Sequence, residues 1–77
     1  MATMTFTEAV HATIKAEAAA HGVTLRELSL NSGLGAEALR GLIYKKRPLN
    51  TDVIAAVARG LDIDVVEFVE QVKRRMA

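Results

Sequence analysis

Few side chains in this sequence have the chemistry of an enzyme, and their spacing does not assemble a catalytic site. His11 and His21 stand far apart in a chain without cysteine, so the spacing of a metal site is missing. Ser29 and Ser32 have no histidine or lysine near them in sequence to act as a base, so we interpret them as helix-end hydrogen bonders. A chain of 77 residues is also short for enclosing a deep pocket. We therefore expect no enzyme activity, no metal, no cofactor and no small-molecule ligand.

A second group of side chains suits the recognition of a polyanion. The formal net charge is only +1, but three cations stand together at Lys45, Lys46 and Arg47. A local basic patch of this kind can hold nucleic acid even when the whole molecule is nearly neutral. Just before it, Arg40 can bond guanine with two hydrogen bonds, and Glu37 can accept one from cytosine.

These charged residues also have ordinary structural interpretations. Glu37 and Arg40 are three apart on a predicted helix and can pair with each other in solvent. The basic run follows a helix end, where cations offset the helix dipole, and for the similar run Lys73-Arg74-Arg75 we prefer that interpretation. Tyr44 can contact a phosphate or bury its ring with its hydroxyl on the backbone. The sequence leaves these alternatives open.

Helix boundaries are marked clearly along the chain. Three oxygen-bearing side chains each precede a glutamate by three residues, which is the spacing of a capping box: Thr5 and Glu8, Thr24 and Glu27, Asp64 and Glu67. Gly22 and Gly33 are placed to end helices in the left-handed conformation. We predict helices over about 6–21, 25–31 and 36–44, a fourth from a cap at Asn50 or Thr51 to residue 60 or 61, and a fifth after Asp64 to about 75.

The predicted fold is therefore all-α, a compact five-helix domain that occupies residues 1–77. On the first helix, Phe6, Val10, Ile14 and Ala18 recur at helical spacing and are expected to face the core. No stretch alternates with the period of a β-strand.

Residues 24–44 predict a helix-turn-helix: a short capped helix, a turn at Gly33, an inward Leu34, and a second short helix. In such a unit the start of the second helix reaches base edges, and the start of the first abuts the phosphate backbone. The base contacts expected here are Gly35, Ala36, Glu37 and Arg40. Of the first helix, Thr24 and Arg26 are expected to contact phosphates.

The joint spacing of several segments resembles the lambda-repressor/Cro-like helix-turn-helix domains (the xenobiotic-response-element family) over about residues 7–70. The segments are Gly22-Val23-Thr24-Leu25-Arg26-Glu27-Leu28-Ser29, Ser32-Gly33-Leu34, Leu39, Lys46-Arg47-Pro48 and Ala58-Arg59-Gly60-Leu61. The resemblance implies a bacterial or phage transcriptional regulator that binds DNA as a dimer through the second helix of the motif. It also implies backbone contacts in the following loop and cap, at Lys45, Lys46, Arg47, Asn50 and Thr51, with Tyr44 beside them. The chain departs from the family at Leu25 and Ile43, where glutamine and glutamate are frequent.

The last helix carries more apolar surface than one small bundle is expected to bury. Five residues share one of its faces, whereas Val66 points elsewhere: Val65, Phe68, Val69, Val72 and Met76. We expect this face to form a two-fold dimer. A dimer would set the two recognition helices roughly 34–36 Å apart, one turn of DNA.

Together these features predict sequence-specific binding of duplex DNA by a small regulator, a repressor acting by operator occupancy. The alternative is a protein-interaction module on the same fold, because the recognition helix starts with apolar residues and the net charge is near zero. No apolar run is long enough to span a bilayer. We therefore expect no membrane association and a cytoplasmic location at the nucleoid.

Overall fold

The computed structural model describes residues 4–44 and 50–76. Within them the chain forms five helices and no strand: α1 (Phe6–Ala20), α2 (Leu25–Ser32), α3 (Ala36–Tyr44), α4 (Thr51–Gly60) and α5 (Val65–Met76). The predicted all-α, five-helix architecture is confirmed, and the observed ends lie within one residue of those expected. Cap chemistry is the reason for this agreement, because caps act locally and can be recognised in the sequence.

The N-terminal caps use the predicted residues. Thr5 and Thr24 each form a complete capping box, in which the threonine hydroxyl and the glutamate three residues later bond each other's backbone N–H. Asn50 caps α4, with Oδ1 accepting from the Val53 N–H at 2.9 Å. At α5 only half of the box is present among the described residues: Asp64 accepts from Val66 and Glu67, and Glu67 makes no bond in return.

A residue in the left-handed backbone conformation follows the end of α1, α2 and α4. Gly22 (φ 66°) and Gly33 (φ 79°) adopt this conformation as predicted, where a glycine has no Cβ to clash. Asp62, after α4, does the same at φ 58°. Asp is one of the few residues that tolerate this region, and this turn was not predicted from the sequence.

The helices pack in two pairs around one core. α1 packs on α5 and α2 on α4, while α3 contacts both α1 and α2. Residues of all five helices and of the turn after α4 supply the buried apolar side chains: Ala9, Val10, Ile14, Leu28, Leu39, Leu42, Val57, Ala58, Leu61, Phe68 and Val72. The helix α3 is thus anchored to the rest of the molecule by Leu39 and Leu42.

One residue of the predicted α1 stripe is not in the core. Phe6, the first residue of α1, is 43% exposed, because it lies at the end of the helix, where its neighbours do not cover it. His11 and Thr13 are buried instead. The Thr13 hydroxyl donates to the Ala9 carbonyl at 2.7 Å, which satisfies a polar group inside the core.

Across residues 4–44 and 50–76, no helix has the length and apolar character that a membrane crossing requires.

Candidate nucleic-acid interface

The helix α3 turns its charged side chains away from the molecule. Leu39 is fully buried and Leu42 is 5% exposed, so this side of the helix faces the core. Glu37 and Arg40 are exposed. Because residues three apart lie on the same side of a helix, these two side chains stand together on the outer surface. Had this face pointed inward, no groove of DNA could have accepted it.

Glu37 and Arg40 do not neutralise each other. The ion pairs among the described residues join His21 to Glu17 and Arg74 to Glu70, and neither involves α3. The simple surface pair considered from sequence is therefore absent here. Both side chains keep their hydrogen-bonding groups available for a partner.

The start of α3 is open. Gly35 is exposed, and a Cβ built on it would meet nothing within 4 Å. A partner can therefore approach the backbone closely at this point. The side chains of Ala36 and Tyr44, and the whole of Lys45, Lys46 and Arg47, lie outside the described part of the chain, and their expected contacts stay predictions.

At the start of α2, Thr24 and Arg26 are exposed, as a phosphate contact requires. The hydroxyl of Thr24 is already committed, since it accepts from the Glu27 N–H and donates to Glu27 Oε1, both at 3.1 Å. Arg26 is in no ion pair with another described residue. Leu25, at the position where the family often has glutamine, packs against the core. Arg26 is thus the better phosphate donor of the two exposed residues.

The start of α4 offers two side-chain donors, the amide of Asn50 and the hydroxyl of Thr51. Asn50 and Thr51 are both exposed. The Oδ1 atom of Asn50 is used by the cap, so its amide NH₂ is the group that can donate to a phosphate oxygen.

Side-chain hydrogen bonds hold the turn between α2 and α3. Ser29 Oγ donates to the Leu34 carbonyl at 2.6 Å, and the Leu34 N–H donates to Ser32 Oγ at 3.2 Å. The prediction that these two serines bond helix ends is confirmed. Leu34 is partly buried against the core, again as expected. These bonds hold the chain in one conformation immediately before α3.

A contact from α4 reaches the same turn. Arg59 Nη2 donates to the Ser32 carbonyl at 3.1 Å. Beside it, a Cβ at Gly60 would lie 2.8 Å from Leu28 Cδ1 and 2.9 Å from Ser32 Cβ, so only glycine allows α4 to approach α2 this closely. This contact could not be predicted from the sequence, because its partners are 27 residues apart and no local pattern joins them.

The face of α5 expected to form a dimer needs correction. Phe68 and Val72 are 0% and 1% exposed, which places them in the core of the monomer, where they cannot contact a second copy. Met76 packs against that core. The exposed apolar residues of α5 are Val65, Val66 and Val69, and we call them the valine face. Val66, set aside in the sequence analysis, is the most exposed at 61%.

Solved structures of two regulators share this fold. The wild-type restriction-modification controller protein C.Esp1396I is similar with a TM-score of 0.85 at 22% identity, over 94% of each chain. The clp gene regulator ClgR from Corynebacterium glutamicum is similar with a TM-score of 0.83 at 27% identity, over 96% of each chain. Neither a family model nor a curated protein matches the sequence. The fold expected from the resemblance to helix-turn-helix regulators is confirmed.

Proposed function

We propose that this protein binds duplex DNA sequence-specifically through α3 and acts as a transcriptional regulator. The observation that carries the proposal is the outward face of α3, where Glu37 and Arg40 are exposed and unpaired with each other. Fold-sharing proteins named as a gene regulator and as a controller of a restriction-modification system support the regulatory role. None of the names of these neighbours describes an enzyme.

The proposed readout assigns different roles to the two elements. On α3, Arg40 donates to guanine O6 and N7, and Glu37 accepts from cytosine N4. The open backbone at Gly35 lets the bases approach the start of the helix, where Ala36 makes the remaining base contact. Phosphate contacts come from Arg26 on α2, while the hydroxyl of Thr24 stays committed to the cap of that helix. Further phosphate contacts come from the segment that runs from Tyr44 through Lys45, Lys46 and Arg47 to the cap residues Asn50 and Thr51. The phosphate contacts set the register, and the base contacts select the sequence.

We further propose that the protein acts as a homodimer through the valine face. Three exposed valines on one short stretch suit the centre of an interface. The charges are segregated along α5: Glu67 and Glu70 lie in its first half, and Lys73, Arg74 and Arg75 lie in its last turn, with Arg74 paired to Glu70. An antiparallel pairing of two copies of α5 places the acidic end of one beside the basic end of the other, which a two-fold axis permits.

Two recognition helices in such a dimer would read a pseudo-palindromic operator. A dimer also doubles the phosphate contacts, which matters for a chain with a net charge of +1. We propose repression by operator occupancy, in the cytoplasm at the nucleoid, where the chromosome lies.

The test is selection of bound sequences from a random duplex pool by the full chain. We expect enrichment of a two-fold symmetric motif whose half-sites are separated by about one helical turn. Recovery of no enriched sequence would contradict the proposal.

Salt dependence separates DNA binding from the alternative of a protein-interaction module. Log K against log salt concentration is expected to fall with a slope of about −0.9 for each phosphate contacted. A flat response, or no measurable duplex binding at low salt, would favour a protein partner for the same surface.

A further inference from the structure

We infer that Arg59 is a positioning residue for DNA binding, which ties the end of α2 to α4 and so holds the turn that presents α3. This rests on the DNA-binding function proposed above. It assigns a role in recognition to a residue of α4 that lies outside the helix-turn-helix.

The contact lies at the end of α2. The guanidinium of Arg59 donates to the carbonyl of Ser32, the last residue of that helix. Carbonyls in the last turn have no partner within their own helix, and a cation is favoured there by the helix dipole. Because α2 has no basic residue in its last turn, the cation comes from α4 instead.

From Ser32 a series of hydrogen bonds leads to α3. Ser32 Oγ accepts from the Leu34 N–H at 3.2 Å, and the Leu34 carbonyl accepts from Ser29 Oγ at 2.6 Å. The next residue, Gly35, supplies the carbonyl that accepts from the Leu39 N–H at 3.0 Å in the first turn of α3. The position of the Ser32 carbonyl is therefore linked to the start of the helix that carries Glu37 and Arg40.

Close packing of α4 against α2 allows the hydrogen bond from Arg59 to the Ser32 carbonyl. Ser32 is 2% exposed, so its carbonyl end is held against the molecule. The missing Cβ of Gly60 lets α4 approach Ser32 closely enough for the neighbouring Arg59 to reach it. Loss of the guanidinium leaves this helix end without its cation and loosens the turn, while the side chains that contact DNA remain.

Arg59 is itself exposed, so direct contact with a phosphate is the competing interpretation. The two differ in a measurable quantity. A phosphate contact contributes about −0.9 to the slope of log K against log salt concentration, whereas a positioning residue contributes nothing to that slope.

The experiment compares the full chain with Arg59→Met, Arg59→Lys and Lys15→Met. The control residue Lys15 is exposed on α1, so its replacement removes the same charge from a helix other than α2 or α4. For each protein, Kd is measured on the duplex obtained by selection and on a scrambled duplex, at several salt concentrations. Thermal unfolding verifies that each variant is folded at the measuring temperature.

Relative to Lys15→Met, we expect Arg59→Met to bind the selected duplex about three- to tenfold more weakly, with the same affinity for the scrambled duplex and the same salt slope. Arg59→Lys should recover most of the loss, because an ammonium can donate to the same carbonyl. Equal Kd values for Arg59→Met and Lys15→Met on the selected duplex would overturn the inference. A salt slope reduced by about one would also overturn it, in favour of a phosphate contact.

Amide hydrogen exchange tests the turn without DNA. In Arg59→Met the amides of Gly33 and Leu34 should exchange faster, whereas the amide of Phe68, bonded within the start of α5, should not change. If the wild-type protein binds no duplex, the proposed function fails. Amide hydrogen exchange then still tests whether Arg59 holds the turn. Unchanged exchange at Gly33 and Leu34 would overturn the inference.

Discussion

At the scale of single residues, recognition depends on the side chains that α3 presents outward. Arg40 and Glu37 are exposed, whereas Leu39 between them is buried. The alternation follows from helical periodicity, so the sequence was sufficient to predict which side chains would face outward. Whether the two charges would pair with each other depended on side-chain geometry, which periodicity does not specify.

Replacing Arg40 by alanine should relax the base preference at one position in each half-site. The expected loss of discrimination is about 1–3 kcal/mol, the value of a bidentate contact between arginine and guanine. It is measured as Kd on a panel of duplexes that differ at single positions. The matched control is Arg26→Ala, which should weaken binding to all sequences alike and reduce the salt slope by about one. An unchanged preference in Arg40→Ala would contradict the proposed docking of α3.

At the scale of helices, caps and close approaches decide stability. Both complete capping boxes, at Thr5 and Thr24, were predicted from a spacing of three residues, because a cap involves only its own helix end. The close approach of α2 and α4 at Gly60 was not predicted, because it depends on which helices become neighbours.

Removing the cap of α2 tests the first of these features. Thr24→Ala should lower the free energy of unfolding by about 1 kcal/mol, since the N–H of Glu27 loses its acceptor. Thr51→Ala is the matched control, because Thr51 is exposed at the start of α4 while Asn50 provides the cap. Chemical denaturation of both variants gives the comparison. Equal losses would show that the hydroxyl of Thr24 contributes no cap.

Adding a Cβ at residue 60 tests the close approach of α2 and α4. Gly60→Ala should destabilise the protein by about 1–2 kcal/mol, because the new Cβ would lie 2.9 Å from Ser32 Cβ and the helices must separate. Better helix propensity offsets only part of this cost. Gly35→Ala is the control, since its Cβ would meet nothing within 4 Å, and its effect should stay within about 0.5 kcal/mol. A variant at residue 60 as stable as the wild type would contradict the proposed packing constraint.

At the scale of the whole molecule, the question is what covers the valine face. From the sequence, one five-residue apolar face on α5 is expected to form the dimer, but Phe68 and Val72 fill the monomer core. Periodicity shows that a helix has an apolar side, but it does not divide that side between the core and a partner. That division depends on how far α1 and α4 cover α5.

The dimer proposal predicts the effect of a charge on the valine face. Val69→Lys should give a folded monomer, because Val69 is 39% exposed in one copy but would bury an unpaired ammonium in the interface. Sedimentation equilibrium measures the association state, and circular dichroism verifies the fold. Leu30→Lys is the control, since Leu30 is 75% exposed on α2 and should leave the dimer intact. Association of Val69→Lys equal to that of the wild type would exclude this interface.

The features that could be predicted from the sequence are those that local interactions determine. Caps, left-handed glycines and the period of a helix depend on residues at most a few positions apart, so they predicted five helices, the helix-turn-helix and the outward placement of Arg40. The exposure of Phe6, the burial of His11, the tie from Arg59 to Ser32 and the reduced valine face came only from the folded chain. Each of these depends on contacts between residues far apart in sequence, and such contacts exist only once the helices have packed together.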